Sequence, residues 1–166
     1  MIRRPLPSLW LICTALMSGV FSASALAAPA VTQLQATIVF SEQVLPSTNP
    51  AELCALIGTI AGAGTTTKLG PVQLASRDCI NPVSATSFLF VSDDVVMTIG
   101  GDELWAAYGG TLSATDGSIK GSYFIFGGTG RFKHAKGVGT IAGFEAIDFT
   151  TGAGQGRIEL NGALTY

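Results

Sequence analysis

Apolar side chains recur along this chain in short runs rich in Val, Ile, Thr and Phe, separated by glycine, proline, asparagine and aspartate. That pattern predicts many β-strands joined by tight turns, not helices. Residues 31–40 predict a first strand, and residues 41–50, with two prolines, Ser, Thr and Asn, predict a long loop that ends it. Extended segments follow at 53–61 and 68–79, on either side of a turn expected at Gly62, Ala63 and Gly64. Ile80, Asn81 and Pro82 are expected to break the pattern. Residues 87–91 and 95–99 read as two arms of a hairpin turning at Ser92, Asp93 and Asp94. Gly100, Gly101 and Asp102 turn into a strand at 103–112. The pair Asp116 and Gly117 then forms a hairpin, because glycine tolerates positive φ. Segments 119–126 and 138–146 flank a glycine-rich joint, and a last strand at 157–166 follows a turn at 150–156. Beyond the first residues no window sustains helical periodicity.

Eight or nine consecutive strands with short connections form a meander, and a meander of this size closes into an up-and-down barrel that removes its exposed edges. The expected fold is all-β: an eight-stranded antiparallel barrel in one domain, 28–166. Such a barrel is either filled by side chains or holds one small ligand. Several strands are apolar on both faces, including Phe88 to Val91, Val95 to Met97 and Tyr123 to Phe126. A solitary barrel buries one face only, so the second apolar face predicts a homo-oligomer, a dimer or trimer, with cover by a loop as the alternative.

The start of the chain is different. Arg3 and Arg4 precede an apolar run at 9–21, and Ala25, Leu26 and Ala27 close it with small residues. This is the order of a cleavable signal peptide, residues 1–27, with cleavage expected before Ala28. The apolar run is shorter than the roughly 20 residues that span hydrocarbon, so no stable membrane insertion is expected. Cys13 lacks the small residue before it that lipidation requires. Export to the periplasm or the extracellular space follows. Without the leader, seven Lys and Arg remain of nine, against eleven Asp and Glu, a net charge near −4. Scattered basic residues on an acidic chain argue against nucleic acid and anionic membrane as partners. Cys54 and Cys79 are then the only cysteines, and in an exported chain they are expected to pair, contributing about 3 kcal/mol through loop closure. With no CxxC and a single histidine, His134, no metal site is expected.

The joint itself reads GGTGRFKHAKG, from Gly127 to Gly137. It lacks the Gly-Lys-Ser/Thr ending of a phosphate loop, and no helix pattern follows its glycines as a dinucleotide site requires. The mechanical reading is better: Gly127, Gly128, Gly130 and Gly137 shape the turn, and Phe132 plugs one end of the barrel. Arg131, Lys133 and Lys136 form a small basic rim. The stretch from Ser122 to Gly139 is similar to the glycine-rich joint of plant dirigent proteins and, more loosely, to that of allene oxide cyclases. Over the whole mature chain the pattern resembles bacterial exported proteins of this barrel type. It includes Leu69-Gly70 with Cys79 to Pro82, Gly101-Asp102 to Gly110-Thr111, and the alternation from Gly154 to Tyr166. The resemblance implies a barrel that shapes an apolar cavity: dirigent proteins steer phenoxy-radical coupling without oxidising anything, and allene oxide cyclases hold a lipid epoxide while it cyclises. It transfers no catalytic residue.

Chemistry-bearing residues are few. No nucleophilic triad is expected, with one histidine on a loop and both cysteines paired. Asp102 and Glu103 precede a strand on which Leu104, Ala106 and Tyr108 share one face and Glu103, Trp105 and Ala107 the other. Tyr108 and Tyr123 are candidate polar handles inside the cavity, with Asp102 or Glu103 at its mouth. The alternative is that Asp102 shapes the turn and Glu103 is solvated. Arg157 and Glu159 read as a surface ion pair. The expected function is an exported barrel that binds or orients a small apolar or aromatic molecule with no redox cofactor. A cofactor-free cyclase or isomerase, and a structural oligomer with a filled barrel, are the alternatives, so enzymatic activity stays open.

Overall fold

The computed structural model describes residues 30–166 apart from Pro50 and Glu52; the leader, its cleavage point and Cys13 lie outside the described residues. Eight strands follow one another: β1 (Val31–Pro46), β2 (Leu56–Thr66), β3 (Gly70–Ser84), β4 (Ser87–Ile99), β5 (Asp102–Ser113), β6 (Ser118–Gly128), β7 (Lys136–Asp148) and β8 (Ala153–Thr165). Each pairs antiparallel with the next, and β1 pairs with β8 from Val31↔Thr165 to Gln43↔Ala153, closing the barrel. The only helical segment among the described residues is one 3₁₀ turn, Gly130–Phe132.

Nine predicted segments become eight strands because the hairpin expected at Ser92, Asp93 and Asp94 is a β-bulge inside β4. Ser92 faces Tyr108 and Val95 faces Ala106, so Asp93 and Asp94 together oppose Ala107 alone. The Ser92 hydroxyl accepts the Asp94 N–H at 3.2 Å and donates to the Arg77 carbonyl at 2.9 Å. Those local bonds hold the extra residue without reversing the chain.

Three other boundaries also move. β1 does not stop at residue 40 but runs to Pro46, paired with β2 on one side; only its last residue is a proline, where a missing donor is tolerated. Gly62, Ala63 and Gly64 are strand residues, and the β2–β3 turn is Thr67 to Leu69. Thr66 Oγ1 ties that turn, accepting the Leu69 N–H at 2.8 Å and donating to the Gly70 carbonyl at 2.9 Å. Ile80, Asn81 and Pro82 continue β3 opposite Phe90, Leu89 and Phe88. Asn81 accepts the Ala55 N–H at 2.8 Å and donates to the Leu53 carbonyl at 3.1 Å, so it anchors the β1–β2 loop.

Alternate residues of every strand point inward. At the end formed by the β2–β3, β4–β5 and β6–β7 connections, Leu34, Ile99, Leu104, Phe132 and Leu164 are all essentially inaccessible to solvent. Side chains of this kind contribute about 1.5–3 kcal/mol each when fully buried. We refer to this as the closed end, and to the other as the open end. The disulfide lies at the open end: Cys54, just before β2, is bonded to Cys79 of β3, with Cα atoms 5.2 Å apart. On the outer wall Trp105, Phe124, Phe126 and Val138 stay exposed.

Candidate functional site

The closed end explains the glycine-rich joint. Gly130 adopts φ +49°, and a Cβ there would fall 1.8 Å from a carboxylate oxygen of Asp102. Gly128 lies against the Glu103 carbonyl, where a Cβ would sit 2.0 Å away; Gly127 has open space by comparison. The Thr129 hydroxyl accepts the Glu103 N–H at 2.9 Å, while the Thr129 N–H donates to the Glu103 carbonyl, also at 2.9 Å. Phe132, on the 3₁₀ turn that follows, is fully buried, and its ring meets Tyr166 edge-on at 5.1 Å. Arg131 lies 4.6 Å over the Phe132 ring, pairs with Asp102 at 3.5 Å and donates to the Ile99 carbonyl at 3.1 Å. The Arg157–Glu159 pair lies on the outer surface at 3.0 Å.

At the open end the interior is a mostly apolar cleft with a group of polar side chains in its wall. The cleft offers about 50 Å³ to the centres of water-sized molecules. That is room for a few waters or one polar head group. Phe40, Phe88, Phe90 and Ile141 line it, and among them stand Glu42, Asp78, Tyr108 and Glu145. No Lys, Arg or His takes part in the lining.

Asp78 is 3% exposed and held by two hydroxyls: the Ser76 hydroxyl donates to its Oδ1 at 2.8 Å, and the Tyr108 hydroxyl makes a short hydrogen bond to the same oxygen. Ser76 also lies 2.9 Å from the Tyr108 hydroxyl and 3.1 Å from Ser92 Oγ. The β4 bulge places Ser92 there, so the irregularity of that strand builds the cluster. Burial raises the Asp78 carboxyl to about 6, against the lowering effect of its hydrogen bonds to Tyr108 and Ser76. Burial, then the charge of Asp78, pushes the Tyr108 hydroxyl far above its ordinary value. Asp78 is therefore poised near neutrality, whereas Tyr108 stays protonated and donates.

Glu42 and Glu145 form the second group. Glu42 of β1 stands opposite Gly154 of β8, and Glu145 of β7 is opposite Gly156 on the same strand. A Cβ on Gly154 would fall 2.4 Å from Glu145 Oε1, and one on Gly58 would fall 1.8 Å from Glu42 Oε1. The glycines hollow the wall to admit both carboxyls. Burial raises both groups, and the hydrogen bond and charge of Glu145 raise Glu42 further. The hydrogen bond to Glu42 acts on Glu145 in the opposite sense. The two carboxyls therefore titrate as one unit, and burial holds a proton on the pair above the ordinary carboxylate range.

Of the four candidate ligand-binding residues, the structure brings one into the cleft. Tyr108 lines it. Tyr123 faces Tyr108 across the β5–β6 pair and points inward, but its ring lies over Gly139 and Gly162, beside the cleft. Its buried hydroxyl has no hydrogen-bond partner, and burial raises it to about 12. Asp102 and Glu103 sit at the closed end. There Asp102 holds the joint and the Glu103 carboxylate accepts the Trp105 indole N–H at 3.0 Å on the outer face. The carboxyls that do line the cleft, Glu42, Asp78 and Glu145, were not among the candidates. A signal for them exists in the sequence: continuing the inward alternation from Ile38 and Phe40 reaches Glu42, from Leu74 and Ser76 reaches Asp78, and from Ile141 and Gly143 reaches Glu145.

Among the described residues no group of three or more His, Cys, Asp and Glu side chains is arranged to hold a metal ion, and no helix is long and apolar enough to cross a membrane. Fold and cleft together define a closed β-barrel with one plugged end and one largely apolar cleft that has carboxyls and hydroxyls in its wall. No protein-family model and no curated protein matches the chain. Among solved structures it is similar to the pterocarpan synthase dirigent protein GePTS1, with a TM-score of 0.50 and 15% identity over 92% of this chain and 99% of that one. It is also similar to the pterocarpan synthase dirigent protein PsPTS1, at a TM-score of 0.49 and 16% identity over 82% and 96% of the two chains. A third similar structure is a nonspecific heme-binding cyclase that catalyses a cycloaddition during neoabyssomicin biosynthesis, at 0.45 and 13% identity over 81% and 67%. The chain has a dirigent-like β-barrel fold, and at these identities the likeness concerns the fold alone.

Proposed function

We propose that this protein binds a small, largely apolar molecule at the open end of its barrel and orients it against Tyr108 and Asp78. The observation that carries this reading is the contrast between the ends. Phe132 and its aliphatic neighbours fill one end completely, whereas interior positions at the other are given to carboxyls and hydroxyls around a cleft. A barrel selected only for stability has no physical reason to bury three carboxyl groups in its wall. The enclosed space accepts a head group; the rest of a ligand extends past Phe88, whose ring stacks on Phe149 of the β7–β8 turn at 5.8 Å.

A second reading is a cofactor-free isomerase or cyclase, and Asp78 favours it. A carboxyl near neutrality inside an apolar cleft is suited to moving a proton. Export remains part of the proposal: the disulfide fits an oxidising compartment, periplasmic or extracellular. So does assembly into a dimer or trimer through the outer wall, where Phe124 and Phe126 are each about half exposed with their rings 5.7 Å apart.

The test is native mass spectrometry of the protein purified from its own host, alongside an Ile141→Trp variant that fills the cleft. A small-molecule adduct on the wild type that the variant lacks is the expected result. An adduct retained by the filled variant, or a wild type that carries none and binds nothing from a panel of apolar compounds, overturns the pocket.

A further inference from the structure

The Glu42–Glu145 pair is unlike the rest of the cleft, because its hydrogen bonding is incomplete. Both side chains are more than nine-tenths buried, at 7% and 5% exposed, yet Glu42 Oε1 and Glu145 Oε1 have no partner in the protein. Asp78, by contrast, has its two hydroxyl donors. A buried carboxyl oxygen without a donor has lost its water and gained nothing in return. The wall accommodates the two groups deliberately, since Gly58 and Gly154 leave the space that a Cβ would take from those same oxygens. The groups facing the pair are Asp78 from β3 and Tyr108 from β5, and the lining supplies no cation.

We infer that the ligand of this cleft is an organic amine, an apolar and aromatic-compatible body carrying a protonated nitrogen that sits between Glu42 and Glu145. This rests on the reading of the cleft as a binding site and names what it takes. An ammonium group brings what the wall lacks: N–H donors for the two oxygens, and one positive charge. A neutral hydroxyl or carbonyl compound brings no charge, and a carboxylate or phosphate ligand is repelled by three acidic groups. The ring faces of Phe40, Phe88 and Phe90 suit a cation and the aromatic body behind it. The ammonium replaces the proton that the pair holds in the free protein. Binding therefore releases a proton: one carboxyl O–H bond breaks, water or the buffer base takes up that proton, no covalent bond forms between ligand and protein, and the anionic pair faces the cation.

Isothermal titration calorimetry at neutral pH with phenethylamine, phenethyl alcohol and hydrocinnamate tests this, run in two buffers of different ionisation enthalpy. The amine is expected to bind about tenfold or more tighter than the alcohol, with hydrocinnamate weakest, and with net proton release read from the buffer dependence. A Glu42→Gln, Glu145→Gln double variant is expected to lose the preference and the proton release while still binding the alcohol. Proton release by the wild type needs no variant, so the test survives if the double variant fails to fold. An alcohol that binds as tightly as the amine overturns the amine inference and leaves the pocket standing. Amine binding without proton release, or with the preference intact in the double variant, overturns it equally. Binding of none of the three overturns both the inference and the pocket reading for aromatic ligands of this size.

Discussion

The two ends of the barrel are made by the same eight strands, and they differ in what occupies the inward positions. At the closed end these are Leu34, Ile99, Leu104 and Leu164 around Phe132, all without solvent access. At the open end the corresponding positions belong to Glu42, Asp78, Tyr108 and Glu145 among Phe40, Phe88 and Phe90. One end is completed by hydrophobic burial and needs nothing else. The other is completed by hydroxyl donors, by a proton on the Glu42–Glu145 pair and by a covalent staple, Cys54 to Cys79. Hydrophobic packing is concentrated at one end, and the buried carboxyls stand at the other, where Gly58 and Gly154 leave them room.

That division can be broken by experiment. The largest effect is expected from Phe132→Ala, which leaves a cavity at the closed end and is expected to cost about 3–5 kcal/mol in urea unfolding. The titration of Asp78 should not move in this variant; a change there would mean that the two ends are not independent. Replacing Cys54 and Cys79 together by serine is expected to cost about 3 kcal/mol through lost loop closure. Hydrogen exchange should then accelerate at the start of β2 and spare the amides around Phe132.

Acidity sharpens the comparison further. Asp78 has an ordinary value of 3.8 and is raised to about 6 in the fold, so between these values the folded protein holds a proton that the unfolded chain has lost. The stability from that proton is complete below pH ~4 and declines as pH rises through about 6, by about 2–3 kcal/mol. Glu42 and Glu145 are raised as well and carry the decline further towards alkaline pH. Unfolding measured across pH should show maximal stability on the acid side, and Glu42→Gln should flatten the alkaline part. A profile that rises with pH would remove the protonated pair from the account. The smallest effect is local: Tyr108→Phe removes a hydrogen bond that lowers Asp78, so carbon-13 NMR should show the Asp78 carboxyl titrating above about 6. An unmoved titration would mean that the contact does not act on Asp78 in solution.

Much of this architecture was legible in the residues. The strands from β5 to β8 are bounded by Asp-Gly or glycine-rich turns, and their predicted and observed limits differ only at the ends. The boundaries that differ lie where turn-forming residues continue a strand: Ser41 to Pro46 in β1, Gly62 to Gly64 in β2, Ile80 to Pro82 in β3 and Ser92 to Asp94 in β4. Asp102 and Glu103, expected either at the cavity mouth or as a turn-shaping and a solvated residue, sit beside the β4–β5 turn at the closed end, whereas Asp78 and Glu145 line the cleft from within β3 and β7. Ser92 looked like a hairpin because its side chain bonds the backbone two residues on, as it does in a turn; here that bond supports a bulge.

From the chain alone came the strand content, the closure into a barrel, the pairing of Cys54 with Cys79 and an interior position for Tyr108. These depend on spacing of two along the chain, on glycine and on residue counts, which are local quantities. Which end is plugged, and which carboxyls meet across the interior, was decided by the tertiary structure. Glu42 and Glu145 lie on β1 and β7, more than a hundred residues apart in the chain, and they meet because β8 lies between them with glycine at the point of approach. The register of three paired strands sets that distance, and no single strand carries it.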